Sequence, residues 1–418
     1  MPTTTRPLLD PDTLDDVDLA DPAVHAEHDL SAVWRRLRAE DPVHRHPETG
    51  GRPGFWVLTR HADVAAVLRD SARFTSERGN VLDTLLAGGD SAAGKMLAVT
   101  DGEPHRDLRT VLLKSFTPRA LAPVIASVRR STRQLLEDAL GRGDCDFARE
   151  VAANIPIAAI CDLLGVPAAD RGYILGLTSS ALGSDHGLPT AADTWTAKND
   201  ILLYFAELAA DRREKPLDDV VSVLVSDAFG DRPLTHDEVV FNCYSLLLGG
   251  DETTRLSMIG AIEALIEHPD QWAALRSGAV SIESATEEVL RWTTPALHSG
   301  RTATEDLLLE GEFVEQGDVV TVWTASANRD EAVFDRPDVF DLARSGNRHL
   351  SFAYGAHFCL GAYLARAEIG AVLEGVSAMA TELSFAGPSR RVYSNFLSGL
   401  SQLPVSVSLD PGYRPTER

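Results

Sequence analysis

Apolar residues in the first three quarters of the chain recur mainly every three or four positions, a spacing typical of helices that bury one face. This pattern predicts a helix over residues 30–40 and a mainly helical region from 104 to 266. The longest helix predicted there runs from Val239 to about Ile266 and is apolar on several faces, as expected inside a large core. A further predicted helix, from Glu283 to Trp292, ends before Pro295.

Short β-like runs lie mostly after residue 300, where glycines and acidic turns separate them. They are Phe55–Thr59, Arg301–Thr304, Leu307–Leu309, Val319–Trp323 and Val405–Leu409. Residues 79–98 hold four glycines among scattered leucines and predict a long loop, a kind of segment that is usually functional or disordered in compact proteins. The pattern as a whole predicts a mainly α fold with a small β-rich portion.

The domain organisation follows from what separates these elements. The 418 residues contain no Gly/Ser-rich or Pro-rich linker and no internal repeat. Length alone would allow two or three domains of about 150 residues, but the missing linkers predict one large domain over residues 30–418. Residues 1–29 predict an acidic arm outside that domain, because eight of the first 30 residues are acidic and only Arg6 is basic.

Charge and composition exclude several classes of protein. The chain has 39 Lys and Arg against 62 Asp and Glu, a formal charge of −23. Nucleic-acid binding and docking on an anionic membrane both favour a basic surface, so neither is expected. No apolar run is long enough to span a bilayer and no secretory signal is visible, so we expect a cytoplasmic protein without a membrane partner.

The four cysteines lie far apart, at Cys145, Cys161, Cys243 and Cys359. No pair has the spacing of a zinc or redox site, and so few thiols in so long a chain indicate a reducing compartment. One of them has an unusual setting.

The segment Phe352–Gly361 follows a β-like stretch, His349–Phe352, and precedes a predicted helix. Cys359 is therefore expected near a helix N-terminus and a glycine-rich turn, where backbone N–H groups stabilise negative charge on sulfur. Gly355 and Gly361 would let the backbone approach that sulfur closely. A single cysteine is more often a small core residue, but the combined spacing of Phe, Gly, His, Cys and Gly argues against that interpretation.

A second unusual segment lies in the middle of the long helix, where the sequence reads Gly249-Gly-Asp-Glu252-Thr253-Thr. Glycine and threonine are poor interior helix residues, so their use in a buried helix indicates a local groove and side chains bonded to the backbone. An acid beside a hydroxyl could relay protons. The alternative is an ordinary helix kink with charges that face solvent.

The Cys359 segment resembles the haem-ligand motif of the cytochrome P-450 family, Phe-x-x-Gly-x-His-x-Cys-x-Gly. The resemblance implies a single P-450-type fold, with haem between the long central helix and the Cys-bearing loop and with Cys359 as the axial iron ligand. Phe352, Gly355 and Gly361 would belong to the cofactor site. In this family, residues that match Glu252 and Thr253 deliver protons during oxygen activation, and Gly249 fits the family pattern.

Two further sets of residues match the family. Glu288 and Arg291 lie three residues apart on one predicted helix face, and the resemblance implies a buried ion network that Arg344 completes. This network is expected to support folding and haem incorporation, not catalysis.

The other set is basic and scattered. His105 and Arg109 lie one helical turn apart, Arg301 begins a strand, and His357 lies two residues before the cysteine. Each alone would more often be a surface residue. The resemblance implies that all four hold the haem propionates, a role that suits the planar fork of arginine.

The implied activity is that of a monomeric, soluble haem-thiolate monooxygenase. It would hold haem b (iron protoporphyrin IX), use dioxygen, and draw electrons from NAD(P)H through ferredoxin reductase and ferredoxin. Basic residues near the cysteine, such as Lys114 and Arg119, would dock the acidic ferredoxin. A peroxide-driven relative would lack the acid–threonine pair. A haem-binding ligand sensor without turnover is not excluded, but would leave that pair unexplained.

Substrate identity is open at the level of sequence. The resemblance places the substrate pocket at positions that are apolar or small and polar, namely Leu85, Leu86, Ser245, Leu248, Ala296, Leu297, His298, Phe396 and Leu397. No charged cluster there demands a charged small substrate. Similar bacterial enzymes of secondary metabolism hydroxylate amino acids on carrier proteins, or act on steroids, terpenoids or macrolides; the first class is slightly favoured.

Overall fold

The computed structural model describes residues 6–182, 191–226, 228–229 and 232–414. Its α-helices are α1 Pro22–Glu27, α2 Ser31–Glu40, α3 His61–Arg69, α4 Leu82–Leu86, α5 Gly102–Leu113, α6 Pro118–Leu140, α7 Asn154–Leu164, α8 Arg171–Leu182, α9 Ala191–Glu214, α10 Val220–Ser226, α11 His236–Glu267, α12 Pro269–Arg276, α13 Ile282–Thr293, α14 Thr324–Ala327 and α15 Ala362–Met379. Short 3-10 or π turns lie between several of them.

The strands are fewer and shorter than the helices. They are β1 Val43–His46, β2 Phe55–Leu58, β3 Phe74–Thr75, β4 Asp144–Asp146, β5 Ala228–Phe229, β6 Arg232–Pro233, β7 Ser299–Ala303, β8 Leu307–Leu309, β9 Glu312–Val314, β10 Val319–Val322, β11 Ala380–Phe385, β12 Arg390–Arg391, β13 Leu400–Gln402 and β14 Pro404–Leu409. The main sheet has the order β1-β2-β10-β7-β3, with β10 parallel to β2 and the other pairs antiparallel. The mainly α fold with a small β portion is confirmed.

The central helix α11 is set by clear sequence signals. Thr235 and Glu238 form a capping box, in which the Thr235 hydroxyl accepts from the Glu238 N–H and the Glu238 carboxylate accepts from the Thr235 N–H. The helix ends before Pro269, which begins α12. Helices α7, α9, α13 and α15 pack around it and bury it in the largest hydrophobic cluster. A buried helix can carry residues into the interior along its whole length.

The N-terminal segment is part of the body of the protein, so the expected outlying arm is corrected for residues 6–29. Val17, Leu19 and Ala20 are buried in a hydrophobic cluster that also contains Trp34 and Trp323. The His25 ring stacks on Trp323 with 5.5 Å between the ring centroids. The eight acids concealed this because the apolar residues between them are few and lack a helical or strand period.

Helix α4 interrupts the loop that was expected over residues 79–98, while the rest of that stretch is irregular. In the part of the chain that the structure describes, no single helix is long and apolar enough to cross a membrane; only α5 and α6, a pair bent by 56°, reach that length and composition jointly.

Candidate functional site

One cavity of about 340 Å³ lies between α11, the start of α15 and the main sheet. Its wall includes Cys359, Thr253 and Gly249, together with basic side chains from α5 and β7. Segments far apart in sequence thus meet around one enclosed space.

The loop that carries Cys359 is held by its own backbone. The Cys359 N–H donates to the carbonyl of Phe352 at 2.9 Å, and the Phe358 N–H donates to the carbonyl of Gly355. The stretch before the loop is irregular and not a strand, which corrects the β-like expectation for 349–352. Gly355 has φ +74°, and a Cβ there would lie 2.6 Å from the carbonyl oxygen of Leu68, at the end of α3. No other residue type fits this position without moving α3 or the loop.

Several groups near the Cys359 sulfur favour negative charge. Burial raises the pKa of the thiol, whereas the backbone N–H groups of Gly361 and Ala362 and the guanidinium groups of Arg109 and Arg366 act in the opposite direction. The sulfur thus lies near the N-terminus of α15, as the sequence predicted, and also within the field of two cations, which the sequence did not predict. Phe352 is buried, lines the same cavity and carries Arg366 over its ring.

The four predicted basic residues all line the cavity. Arg109 donates to the carbonyl of Phe358 at 2.6 Å, and Arg301, fully buried, donates to Ser299 and to the carbonyl of Gly300. Burial lowers the pKa of Arg301 to about 10, still far above neutrality. This edge of the cavity therefore offers two charged guanidinium donors, of which Arg301 is buried and Arg109 is half-buried.

The two histidines of this edge lie against each other, with 4.3 Å between the centroids of His105 and His357. Burial, then the neighbouring His357 and Arg109, lower the pKa of His105 to about 4, so its ring is neutral at pH 7. Its Nε2 atom is buried and has no hydrogen-bond partner among the described residues. His357 is bonded to Asp101, at 2.8 Å, a residue that the sequence did not single out.

The side chains of the acid–threonine pair on α11 do not face the same space. Thr253 lines the cavity, and its hydroxyl donates to the carbonyl of Gly249 at 3.3 Å. Glu252 does not line the cavity; it is buried and accepts from Arg255 at 2.7 Å. Successive side chains on a helix point about 100° apart, so neighbours in sequence need not face the same space. A direct relay from Glu252 to Thr253 is therefore absent from this arrangement.

The predicted ion network is present. Arg291 binds both carboxylate oxygens of Glu288 at 2.8 Å, and Arg344 binds the same carboxylate at 3.1 Å. Asn347 and the backbone N–H of Asp341 complete the set of donors to Glu288. Glu288 and Arg291 are wholly inaccessible to solvent, so this network lies in the interior, away from the cavity.

Four of the nine residues predicted for the substrate pocket line the cavity, namely Ser245, Ala296, His298 and Phe396. The other five do not line it, namely Leu85, Leu86, Leu248, Leu297 and Leu397.

Two kinds of geometry explain these five. Leu297 and Leu397 follow cavity residues in extended, bridged backbone, where alternate side chains point to opposite sides. They are buried instead in hydrophobic clusters outside the cavity. Leu248 packs against the helical core, while Leu85 and Leu86 belong to the short helix α4, which the predicted loop did not include.

Most cavity residues that the sequence analysis did not name are apolar, and the polar ones among them include Asn80, Asn242, Thr254 and Ser257. A helical period through Ser245 would have indicated Asn242, three residues earlier on the same face. Asn80 has no such local signal.

The residues present fit a haem group. The orphaned Nε2 of His105 lies at the same edge as the buried guanidinium of Arg301 and the half-buried guanidinium of Arg109, which matches the need of two propionates for donors. A Cβ built on Gly249 or Gly361, in the cavity wall, would meet no atom within 4 Å, so both glycines border open space. A cysteine sulfur, a basic edge and open space between them define the class of haem-thiolate proteins.

Comparison with known proteins agrees with this class. The family model for cytochrome P450 matches residues 281–376. The chain is 49% identical over 404 residues to cytochrome P450 NovI from Streptomyces niveus, covering 97% of this chain and 99% of that protein. It is 31% identical over 398 residues to linalool 8-monooxygenase from Pseudomonas putida, covering 93% and 98%.

Among solved structures, P450 OxyD, described as involved in the biosynthesis of vancomycin-type antibiotics, matches with a TM-score of 0.86 and 37% identity, over 94% of this chain and all of that one. The chain belongs to the cytochrome P450 family, and its activity is that of a monooxygenase.

Proposed function

We propose that this monooxygenase hydroxylates an amino acid held as a thioester on a carrier protein, during assembly of a bacterial antibiotic. The observation that carries the proposal is the distribution of charge around the cavity. The titratable groups that line its described wall are His105, Arg109, Arg301, His357, His298, Cys359 and Glu368, and burial lowers the pKa of His298 to about 3, so that its ring is uncharged. The first four belong to the edge assigned to the propionates.

Glu368, on α15, is the carboxyl group of this wall. Burial, and secondarily the nearby Asp251, raise its pKa well above the ordinary value, which disfavours a charge on it that a substrate could pair with. The rest of the wall is apolar or neutral and polar, and an unpaired carboxylate is costly to bury there. A thioester removes the carboxylate of an amino acid, and the likeness to NovI and to OxyD supports antibiotic biosynthesis as the setting.

The chain's own residues have distinct roles in this proposal. Cys359 would hold the iron and Arg109, Arg301, His105 and His357 the propionates of haem b; the bound haem supplies oxygen activation with dioxygen and electrons derived from NAD(P)H. The apolar wall excludes bulk water. In the wall formed by α11 the Thr253 hydroxyl donates to the carbonyl of Gly249, and its oxygen keeps lone pairs that can accept from a proton donor in the cavity when the hydroxyl turns to donate there.

The electron donors in this proposal are a ferredoxin and its reductase, and the protein acts as a cytoplasmic monomer. Support for docking near the Cys-bearing loop comes from exposed cations on the adjoining helices, including Arg106, Lys114 and Arg119.

A second candidate substrate class is terpenoid. The likeness to linalool 8-monooxygenase and the apolar wall favour it, because a neutral hydrocarbon needs no charge partner.

The cofactor is tested first. The reduced protein with carbon monoxide should give the red-shifted Soret band of a thiolate-ligated haem, and Cys359→Ser should abolish it. Cys145→Ser, a change at a buried cysteine far from the cavity, is the matched control and should retain the band. Wild-type protein that binds no haem would refute the function.

The substrate is tested by spectral titration of the haem-loaded protein. An aminoacyl carrier protein should give the blue shift of the Soret band that accompanies displacement of water, whereas the free amino acid and the carrier protein alone should not. A blue shift with linalool but not with a panel of aminoacyl carrier proteins would favour the terpenoid candidate and reject the carrier-bound one.

A further inference from the structure

Asp101 occupies the N-cap position of helix α5, but its side chain does not cap the helix. Aspartate is favoured there because its carboxylate accepts from an N–H two or three residues later. Here the Asp101 side chain makes no such cap. Its buried carboxylate is committed elsewhere, and Pro104, three residues later, has no N–H for it to cap.

The carboxylate joins three separate segments. One oxygen accepts from the Thr75 hydroxyl at 2.8 Å and from the Ser76 N–H at 2.6 Å, at the end of strand β3. The other oxygen accepts from Nε2 of His357 at 2.8 Å, in the Cys-bearing loop. Since an ionised carboxylate only accepts, Nε2 of His357 carries a proton, and the ring orientation is fixed by that bond.

Asp101 is also a negative charge that interacts with several residues of the basic edge of the cavity. Burial raises the pKa of its carboxyl, but the donors His357, Ser76 and Thr75 outweigh burial and hold the pKa below its ordinary value, so Asp101 is ionised at pH 7. Burial lowers the pKa of Arg301 and of His105, and the charge of Asp101 partly offsets that fall in both. One carboxylate therefore acts on three of the four residues assigned to the propionates, yet does not itself line the cavity.

We propose that Asp101 is a positioning residue of the haem site: through His357 and Arg301 it fixes where the propionates bind, and its negative charge lowers the reduction potential of the bound haem. The inference rests on the proposed haem cofactor. Adding an electron to a group near a fixed anion is less favourable than adding it without that anion, which gives the direction of the shift.

Asparagine cannot replace Asp101 in this arrangement. It has one acceptor oxygen, whereas Asp101 uses one oxygen toward β3 and the other toward His357. In Asp101→Asn the amide NH₂ must therefore face a donor on one side, and the charge is lost as well. Asp101→Glu keeps the charge and both oxygens but places them one methylene further from the backbone.

The test measures the midpoint potential of the haem-loaded protein by spectroelectrochemistry and the rate at which haem transfers to apomyoglobin. Asp101→Asn should raise the potential and speed haem transfer several-fold. Asp101→Glu should return the potential close to the wild-type value even where haem transfer remains faster. Asp107→Asn, a half-exposed aspartate on the same helix, is the matched control and should leave both quantities unchanged.

A merely structural role would speed haem loss without moving the potential, so an unchanged potential in haem-loaded Asp101→Asn overturns the inference. If that variant retains too little haem to titrate, Thr75→Val decides: it removes one donor from Asp101 while leaving His357 in place, the less neutralised carboxylate should lower the potential, and no shift overturns the inference. A wild-type protein without haem would instead refute the cofactor itself.

Discussion

The ion network around Glu288 gives the sharpest prediction on stability. In Glu288→Gln the carboxylate that neutralises Arg291 and Arg344 is replaced by an amide, and Arg291 has no exposure to solvent. Removing one partner of a buried ion pair costs about 3–5 kcal/mol because a buried charge is left uncompensated. The entropy of unfolding is about 2.1 cal/mol/K per residue, which for 418 residues is about 0.9 kcal/mol/K. The expected fall in Tm is therefore about 3–6 °C.

The assay is thermal unfolding of the haem-loaded protein, followed by far-UV circular dichroism, with the carbon monoxide spectrum taken at 20 °C on the same samples. Glu283→Gln, an exposed glutamate in the first turn of the same helix, is the control and should leave Tm unchanged. Glu288→Gln should retain a thiolate-type spectrum in the fraction that stays folded, because the network does not line the cavity. A Tm within 1 °C of wild type would refute the assignment of this network to folding.

Three further outcomes are expected. Thr253→Ala should divert consumed oxygen from product to released peroxide, while Thr253→Ser, which keeps the hydroxyl, should preserve coupling; equal coupling in both variants would reject a proton role for the hydroxyl. Charge reversal at Lys114 or Arg119 should slow reduction by ferredoxin and flatten its dependence on ionic strength, without changing the carbon monoxide spectrum; an unaltered salt dependence would place the docking site elsewhere. Burial raises the pKa of Glu287, but Arg366 and His349 outweigh it and lower the pKa to about 2. Because the folded pKa lies below the ordinary 4.5, this stabilisation is present above about pH 4.5 and lost as the pH falls toward 2. Glu287→Gln should therefore show a smaller loss of stability than wild type between those pH values, and an identical acid profile would contradict the depressed pKa.

Sequence predicted most reliably what is encoded locally. The Cys-bearing segment and the long helix are marked by patterns among residues close in sequence, so spacing indicated both. The spacing of Glu288 and Arg291 places them on one helix face, but the ion network was inferred from family resemblance. Helix α11 begins at a capping box and ends at a proline, both of which are readable in the sequence. Arg344 and the four basic residues came from family resemblance, because no local pattern links residue 105 to residue 357.

The features that sequence missed depend on contacts between distant segments. Asp101 bonds to residues 25 and 256 positions away, and nothing near it marks the second of these partners. Leu297 and Leu397 were misplaced because the bridge between Ala296 and Leu397 sets which alternate side chains face the cavity. Glu252 was misplaced by treating adjacent helix residues as sharing a face. Burial of the acidic N-terminal segment was hidden because Trp323, the residue it covers, lies about 300 positions away.

The burial of that N-terminal segment has a consequence for how the protein can be shortened. Its apolar residues Val17, Leu19 and Ala20 pack in one hydrophobic cluster with Trp34 and Trp323, while most of its acidic side chains are exposed to solvent. Deleting residues 1–29 would therefore remove both these apolar contacts and the exposed acidic side chains. The shortened chain would expose the apolar surface around Trp34 and Trp323 to solvent and would lose the nearby negative charges. An exposed apolar patch of this kind favours aggregation. Expression design should treat this stretch as structural and place any fusion ahead of it.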